Sequence, residues 1–204
     1  MNSESGSPGP GTVTVYLASA SPRRQALLKQ AGIRFQVILP DVEEVAQPGE
    51  LAEDFVMRVA RDKAQAGQDL VIKENRPSAP VLAADTCIDL DNEIIGKPGD
   101  REEGLRILSR LAGRSHQVLT AVVLMEEEKS QQVLSRSRVA FGPLSEKEIE
   151  DYWESGEPVD KAGAYAIQGK AAAFIEHIEG SYTGIVGLPL FEVVNMIKKS
   201  GTGL

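Results

Sequence analysis

Residues 13–24, which read VTVYLASASPRR, constrain the fold of this chain more than any other segment. Their β-branched and aromatic residues predict a buried strand that ends at Ala18. Ser21 is a favourable helix N-cap, and Pro22 suits the first helical turn, where its missing N–H costs no hydrogen bond. We therefore expect a strand, a short loop and a helix that ends at Gly32, a unit typical of α/β proteins.

The same junction concentrates groups that bind anions. A helix N-terminus presents free N–H groups and partial positive charge. Ser19 and Ser21 add hydroxyl groups there, and Arg23 and Arg24 add guanidinium groups. Two arginines in a first turn oppose the helix dipole, so an anionic partner would offset their cost. The pattern favours a phosphate-binding site over the alternative, a solvated helix start.

Charge and hydropathy exclude several classes of function. The 204 residues include 30 acidic and 22 basic side chains, a net charge of −8. This charge argues against an extended nucleic-acid interface but permits a small anionic ligand. No apolar run approaches the roughly 20 residues of a membrane span, and the N-terminus has no signal-peptide pattern. We expect a flexible lead-in at 1–12, a single domain at 13–200, no membrane partner and a cytoplasmic location.

Strand and helix patterns alternate along the rest of the chain, which predicts an α/β fold. Strands are predicted at 35–40, 81–84, 116–125, 132–141 and 172–178, helices at 51–66, 101–112, 145–155 and 189–199, and a hairpin around Asp91–Asn92. We expect a mixed central sheet with flanking helices, divided into two lobes by a cleft.

Two carboxylate positions are candidates for chemistry. Asp85 directly follows the predicted strand 81–84, where α/β folds place functional groups, although an ordinary turn aspartate is the alternative. Glu43 and Glu44 follow the strand 35–40 and would form a solvated acidic loop unless they converge with Asp85. One or two carboxylates with phosphate oxygens and water are the usual ligands of Mg²⁺. A metal site here therefore depends on that convergence.

Three further polar residues stand out by their surroundings. Lys63 borders the apolar face of the helix 51–66, and Lys97 lies between a glycine and a proline after the hairpin. Residues 160–169, which read DKAGAYAIQG, are too polar and glycine-rich for a core strand. Gln168 in that segment has the paired donor and acceptor that could read the edge of a nucleotide base.

Cysteine and histidine chemistry is not expected. Cys87 is the only cysteine, which excludes an internal disulfide, and we expect it to be a small buried hydrophobic residue. His116 and His177 are the only histidines, and each lies in or beside an apolar strand pattern. We expect both to be structural or surface residues rather than catalytic ones.

Five motifs taken in order resemble the Maf family, the septum-formation-inhibitor-like nucleoside triphosphate pyrophosphatases. They are SASPRR at 19–24, ADT at 84–86, GKP at 96–98, DKAGAYAIQG at 160–169 and GSY with VGLP within 180–189. The resemblance covers about residues 13–199. It implies an α/β fold with a deep cleft between two lobes, and hydrolysis of a nucleoside triphosphate to the monophosphate and pyrophosphate. It also suggests a homodimer.

The resemblance assigns roles to residues of this chain. Asp85 matches the family's proton acceptor, and further active-site positions match Glu44, Lys63 and Lys97. Positions associated with substrate choice match Arg23, Thr86 and Gln168. The IQG form of the fourth motif resembles the branch that prefers dTTP and UTP; the alternatives are a 7-methyl-GTP pyrophosphatase and a nucleotide-binding regulator of cell division with little catalysis.

These roles fit the chemistry of attack at an α-phosphate, which needs a positioned water, a base and cationic stabilisation. We expect Asp85 to orient or deprotonate the water, directly or within a metal site that Glu44 helps to form. The cofactor would be a divalent cation, Mg²⁺ or Mn²⁺. The triphosphate would be neutralised by Arg23, Arg24, Lys63 and Lys97, with hydrogen bonds from the Ser19–Ser21 loop.

Overall fold

The computed structural model describes residues 13–127 and 129–201, so the predicted lead-in at 1–12 lies outside the described residues. In chain order the elements are β1 (Val15–Ala18), α1 (Pro22–Gln30), β2 (Phe35–Ile38), α2 (Ala52–Lys73), β3 (Val81–Leu90), β4 (Glu93–Ile95), α3 (Arg101–Leu111), β5 (Ser115–Glu126), β6 (Lys129–Phe141), α4 (Glu146–Glu154), β7 (Ile175–Glu179), α5 (Tyr182–Val186) and α6 (Leu190–Lys199). Short 3₁₀ turns cover Ala162–Ala164 and Lys170–Phe174.

The strands form one seven-stranded sheet in the order β2-β1-β3-β5-β6-β7, with β4 also paired to β3. Strand β1 is parallel to both β2 and β3, whereas the remaining pairs are antiparallel. Helix α2 packs on one face of the sheet, and α1 and α6 pack on the other. Helices α3 and α4 enclose a separate cluster of core residues with β4 and the ends of β3, β5 and β6. The predicted mixed sheet with flanking helices is confirmed.

Helix α2 is longer than predicted, because it continues beyond residue 66 to Lys73. Its buried stripe includes Ala60, Ala64, Gly67 and Val71, which recur at helical spacing. A Cβ atom on Gly67 would lie 2.9 Å from the side chain of Val81 in β3. Glycine therefore allows the helix to lie close against the sheet, and the burial outweighs its low helix propensity.

Strand β3 is also longer than the predicted 81–84, so Asp85 stands inside a strand and not at its end. The ladder with β5 pairs every residue from Val81 to Asp89, which carries the strand through Asp85. On the opposite side, β1 pairs only with Val81 and Leu82, and β4 pairs only with the last three residues of β3. No strand in the described part of the chain covers residues 83–87 on that side. We call this interruption the sheet gap.

Two local predictions have different outcomes. The hairpin between β3 and β4 is confirmed, and the positive φ angles of Asp91 (58°) and Asn92 (64°) suit its tight turn. The predicted strand 172–178 is wrong in its first half, because residues up to Phe174 form a 3₁₀ turn and only Ile175–Glu179 pairs with β6. The carboxylate of Glu157 accepts the backbone N–H groups of Lys170 and Ala171, which holds this turn away from the sheet.

Candidate active site

A cleft with a volume of about 800 Å³ opens at the sheet gap. This volume lies within the range of nucleotide-sized ligand pockets. The structure brings ten of the sequence-predicted site residues to its lining: Ser19, Ser21, Arg23, Arg24, Glu44, Lys63, Asp85, Thr86, Lys97 and Gln168. These residues come from segments that are far apart in the chain, and the gap is where their side chains meet. Glu43, the other candidate carboxylate, is exposed and is not part of the lining.

The floor of the cleft holds an ionic centre. Lys63 on α2 and Asp85 on β3 are only 8% and 6% exposed, and the lysine Nζ donates to the aspartate Oδ1 at 2.8 Å. The same Nζ lies 2.7 Å from Oε1 of Glu44, in the connection between β2 and α2. Lys97, which is largely exposed, lies 3.6 Å from the other oxygen of Glu44. The convergence of Glu44 with Asp85 that the sequence left open is therefore present.

Glu44 remains ionised in this centre. Burial alone would raise its pKa, but the hydrogen bond and charge of Lys63 and the charge of Lys97 outweigh it, so the pKa lies below its ordinary value. Because the Glu44 carboxylate is charged, it can bind a metal cation in place of one of the two lysine ammonium groups. The centre is thus suited to a site where cations and phosphate oxygens are brought together.

The two carboxylates fit a divalent cation only with help from the substrate. Glu44 and Asp85 approach one common point, which Lys63 Nζ holds at 2.7 and 2.8 Å. Among the residues that the structure describes, no group of three or more His, Cys, Asp or Glu side chains could hold a metal. Mg²⁺ commonly takes one or two carboxylates and completes its shell with phosphate oxygens and water. The donor set therefore fits a cation that is shared with a bound triphosphate.

Arg24 is engaged by protein acceptors. Its Nε donates to the carbonyl of Gly187 at 2.8 Å, and its Nη1 donates to the carbonyl of Ala84 at 2.8 Å and to Ser19 Oγ at 3.1 Å. Ala84 lies in the sheet gap, so this arginine satisfies a carbonyl that has no strand partner there. Burial lowers the pKa of Arg24, while the charge of Asp85 opposes that shift. The side chain joins the loop after β1, strand β3 and the end of α5.

A chain of hydroxyl groups extends from Arg24 across the sheet. Nη2 of Arg24 donates to Thr86 Oγ1 at 3.2 Å, and Thr86 Oγ1 lies 2.9 Å from Thr120 Oγ1. Thr120 donates its only proton to the carbonyl of Gly184 at 2.8 Å. Thr86 must therefore donate to Thr120, because a hydroxyl group has a single proton. Thr86 contacts the cleft, but its hydrogen-bonding proton is already committed.

Arg23 differs from its neighbour, because its guanidinium makes no hydrogen bond or ion pair with the described residues. It is partly buried on the wall of the cleft, and burial lowers its pKa. Ser21 caps α1 by accepting the N–H of Arg24 at 3.4 Å, and Ser19 accepts the N–H of Ser21 at 3.3 Å. Both serine hydroxyls act only as acceptors here, so their protons and the Arg23 charge are available to an anion.

Residues 159–168 form the opposite wall. The side chain of Gln168 is exposed and makes no hydrogen bond to any residue in the described ranges. Tyr165 is buried, and its hydroxyl lies 2.8 Å from Nε2 of His116. Lys161 was not assigned a role from the sequence, although it lies in the DKAGAYAIQG motif. Burial and the nearby charge of Arg23 lower the pKa of Lys161, whose Nζ donates to the backbone carbonyls of Glu157 and Val159.

The cysteine and the histidines behave as expected. Cys87 is 2% exposed, and burial together with the charge of Asp85 raises its pKa, which keeps the thiol protonated. Burial lowers the pKa of His116 to about 4, so its ring is neutral at pH 7. His177 lies exposed on β7, away from the lining of the cleft.

Comparison with known proteins gives consistent names. A family model described as Maf-like protein matches residues 14–200. Proteins named dTTP/UTP pyrophosphatase are 47% identical in Bordetella avium (93% of this chain and 96% of the relative), 49% in Burkholderia lata (91% and 92%) and 50% in Alkalilimnicola ehrlichii (90% and 91%). A solved Vibrio cholerae protein is 12% identical with a TM-score of 0.41, over 89% of this chain and 95% of that one.

None of the helices in the described part of the chain has the length and apolar character required to span a membrane.

Proposed function

The chain belongs to the Maf family, and from this premise we propose that it is a pyrophosphatase of dTTP and UTP, and of modified pyrimidine nucleotides. The reaction is attack of water on the α-phosphorus, which releases a nucleoside monophosphate and pyrophosphate. The observation that carries this proposal is the ionic centre of Glu44, Lys63 and Asp85 on the floor of the cleft. A site that only bound nucleotides would have no need of a buried carboxylate beside an α-phosphate.

The cleft has a phosphate end and a base end. At the phosphate end, the N-terminus of α1 and the free groups of Ser19, Ser21 and Arg23 face the ligand. Lys97 adds a flexible charge on the other side of the ionic centre. At the base end, the amide of Gln168 is free to pair with a pyrimidine edge. A nucleoside triphosphate therefore lies across the sheet gap, with its α-phosphate near Asp85.

Asp85 acts on the water. Its Oδ1 is held by Lys63, and its Oδ2 has no hydrogen-bond partner among the described residues, so Oδ2 can accept a proton from water. As the water oxygen bonds to the α-phosphorus, the bond from that phosphorus to the bridging oxygen breaks, and negative charge develops on pyrophosphate. Lys63, Lys97 and Arg23 stabilise this charge. Arg24 connects the loop after β1, strand β3 and the end of α5, so its contribution is to the shape of the site.

Glu44 and Asp85 are the residues that would hold Mg²⁺ or Mn²⁺ together with the phosphate oxygens. The bound cation supplies charge neutralisation and orientation of the triphosphate. Lys63 lies between these two carboxylates and would contribute further positive charge beside the phosphate oxygens. The homodimer and the cytoplasmic location suggested by the sequence stay predictions.

A pyrophosphate-release assay with Mg²⁺ tests the proposal across dTTP, UTP, CTP, GTP and 7-methyl-GTP. We expect release from dTTP and UTP, and little from GTP. Release mainly from 7-methyl-GTP would move the chain to another branch of substrates. Tight nucleotide binding without any release would contradict the enzymatic proposal and favour a regulatory one.

A further inference from the structure

Gln168 lies in a segment that has little regular structure of its own. Residues 165–169 run between two 3₁₀ turns and belong to neither a helix nor a strand. A side chain that discriminates between bases must be held by a fixed backbone, because small displacements remove its hydrogen bonds. Something outside the segment must therefore provide that rigidity.

The carboxylate of Glu157 collects three donors beside this segment. Its Oε2 accepts the backbone N–H of Lys170 at 3.0 Å, and its Oε1 accepts the N–H of Ala171 at 3.4 Å. The hydroxyl of Tyr152 on α4 also donates to Oε1, at 2.8 Å. One acidic side chain thus fixes the chain two and three residues after Gln168.

Tyr152 extends the same network to the other side of Gln168. While its hydroxyl donates to Glu157, its oxygen accepts the backbone N–H of Ala166 at 3.1 Å. The aromatic ring is 2% exposed and packs edge-on against Phe174, with ring centroids 5.2 Å apart. The backbone is therefore tied two residues before Gln168 and two residues after it.

The charge state and the local space suit this arrangement. Burial would raise the pKa of Glu157, but the N–H groups and the tyrosine hydroxyl outweigh it, so its pKa lies below the ordinary value. Burial and Glu157 raise the pKa of Tyr152, which therefore stays a neutral donor. A Cβ atom on Gly169 would lie 2.1 Å from the Glu157 carboxylate. Only glycine leaves room for the carboxylate beside Gln168.

We propose that Glu157 and Tyr152 are positioning residues that set the pyrimidine preference by fixing Gln168, and we name the pair the Glu157–Tyr152 clamp. Neither side chain is part of the lining of the cleft, so neither would touch the substrate. The clamp rests on the proposed function, because it assumes that Gln168 pairs with the base. It acts on selectivity, whereas the ionic centre acts on the chemical step.

The test uses Glu157→Gln and Tyr152→Phe in the full chain, with Glu154→Gln as the matched control. Glu154 is on helix α4, as Tyr152 is, and its only partner among the described residues is Arg101, in an exposed ion pair. Steady-state kinetics with UTP and CTP give kcat and KM, and thermal unfolding reports folding. We expect each clamp variant to lower the ratio of kcat/KM for UTP over CTP about tenfold, mostly through the KM of UTP. The control should match the wild type.

Two other results would overturn the clamp. One is an unchanged UTP-to-CTP ratio in both variants, and the other is an equal loss of kcat on every nucleotide, which marks a purely structural role. If the wild type released no pyrophosphate from any nucleotide, the proposed function would fail instead. In that case amide hydrogen exchange at 166–171 still decides whether the clamp exists: exchange should accelerate at least about tenfold in Glu157→Gln but not in Glu154→Gln.

Discussion

Different interactions stabilise the phosphate end and the base end of the cleft. At the phosphate end, Lys63 contacts two carboxylates directly, with its Nζ 2.7 Å from Glu44 and 2.8 Å from Asp85. At the base end, Gln168 faces the cleft uncharged, and the ionised Glu157 that supports it is outside the cleft. In the proposed function, the charges that face the substrate act on the chemical step, whereas the charge of Glu157 behind the wall acts on the shape of the cleft. Rate and selectivity should therefore respond to separate substitutions.

The substitution Asp85→Asn should break the phosphate end most severely. It nearly preserves the shape of the side chain but removes the base, so kcat should fall about 1,000-fold while nucleotide affinity changes by less than about threefold. Pyrophosphate release and calorimetric titration with UTP measure the two quantities. Asp89→Asn is the control, because Asp89 is on the same strand but outside the lining of the cleft. Normal pyrophosphate release by Asp85→Asn would refute the assigned role.

The substitution Arg24→Lys should distinguish the structural role of an arginine from its positive charge at the phosphate end. Lysine keeps the positive charge but cannot reproduce the four hydrogen bonds of Arg24 to Gly187, Ala84, Ser19 and Thr86. We expect the free energy of unfolding to fall by about 3 to 4 kcal/mol in urea denaturation. Arg23→Lys should change it by less than about 0.5 kcal/mol and raise KM instead. Similar losses of stability in both variants would contradict this distinction.

These two arginines also mark what the sequence can predict. Helix α1 was placed correctly because its signals, Ser21 and Pro22, are local. The different roles of Arg23 and Arg24 depend on the carbonyl of Gly187, which is 163 positions away from Arg24 in the chain. No local pattern carries such information. The family resemblance nominated Arg23 and the local residue pattern nominated Arg24, but neither could show that Arg24 is held by protein acceptors while Arg23 is not.

The extent of β3 and the Glu157–Tyr152 clamp show the same limit. Strand β3 passes through Asp85 because β5 pairs along it, and that pairing is not visible in the residues 81–90 themselves. Glu157 belongs to no recognisable sequence motif, because its carboxylate binds backbone N–H groups 13 and 14 residues later, which any residue type except proline could supply. The hydrophobic patterns did predict the sheet with flanking helices. The five motifs, and for Glu44 and Lys63 the family resemblance, predicted the residues that meet at the cleft.

Acid should weaken the base end through His116. This histidine is 3% exposed and supports Tyr165, and burial lowers its pKa from 6.5 to about 4. Between pH 6.5 and pH 4, the unfolded chain binds a proton at His116 more readily than the folded chain does. The stability contributed by the neutral, buried ring is therefore full above pH 6.5 and is lost as the pH falls to 4. The loss is about 3 kcal/mol. Urea denaturation of the wild type and of His116→Gln across this range measures it.

The variant should show the flatter dependence on pH, because it has no ionisable ring to bury. His177→Gln is the matched control, since His177 is exposed on β7. It should follow the wild type closely. Parallel curves for the wild type and His116→Gln would show that other groups account for the loss of stability in acid.

The substitution Gln168→Ala should have the smallest effect on activity, and it tests the base end most directly. We expect the preference for UTP over CTP to fall about tenfold, with kcat on UTP lowered less than about threefold. Gln65→Ala, an exposed glutamine on α2 that is hydrogen-bonded to Asp69, serves as the control. An unchanged preference would count against a base-reading role for Gln168 and would leave the wall around Tyr165 and Lys161 as the source of selectivity.

The sheet gap has a consequence for solubility. A strand with unpaired backbone groups invites pairing with a strand of another molecule, which is a common route to aggregation. Here the vulnerable stretch of β3 is guarded by Arg24, which caps the carbonyl of Ala84, and by the charged floor of the cleft. The residues that shape the active site thus also cover the unpaired stretch of β3. Substitutions that remove Arg24 should therefore increase light scattering in concentrated solutions, in addition to lowering stability.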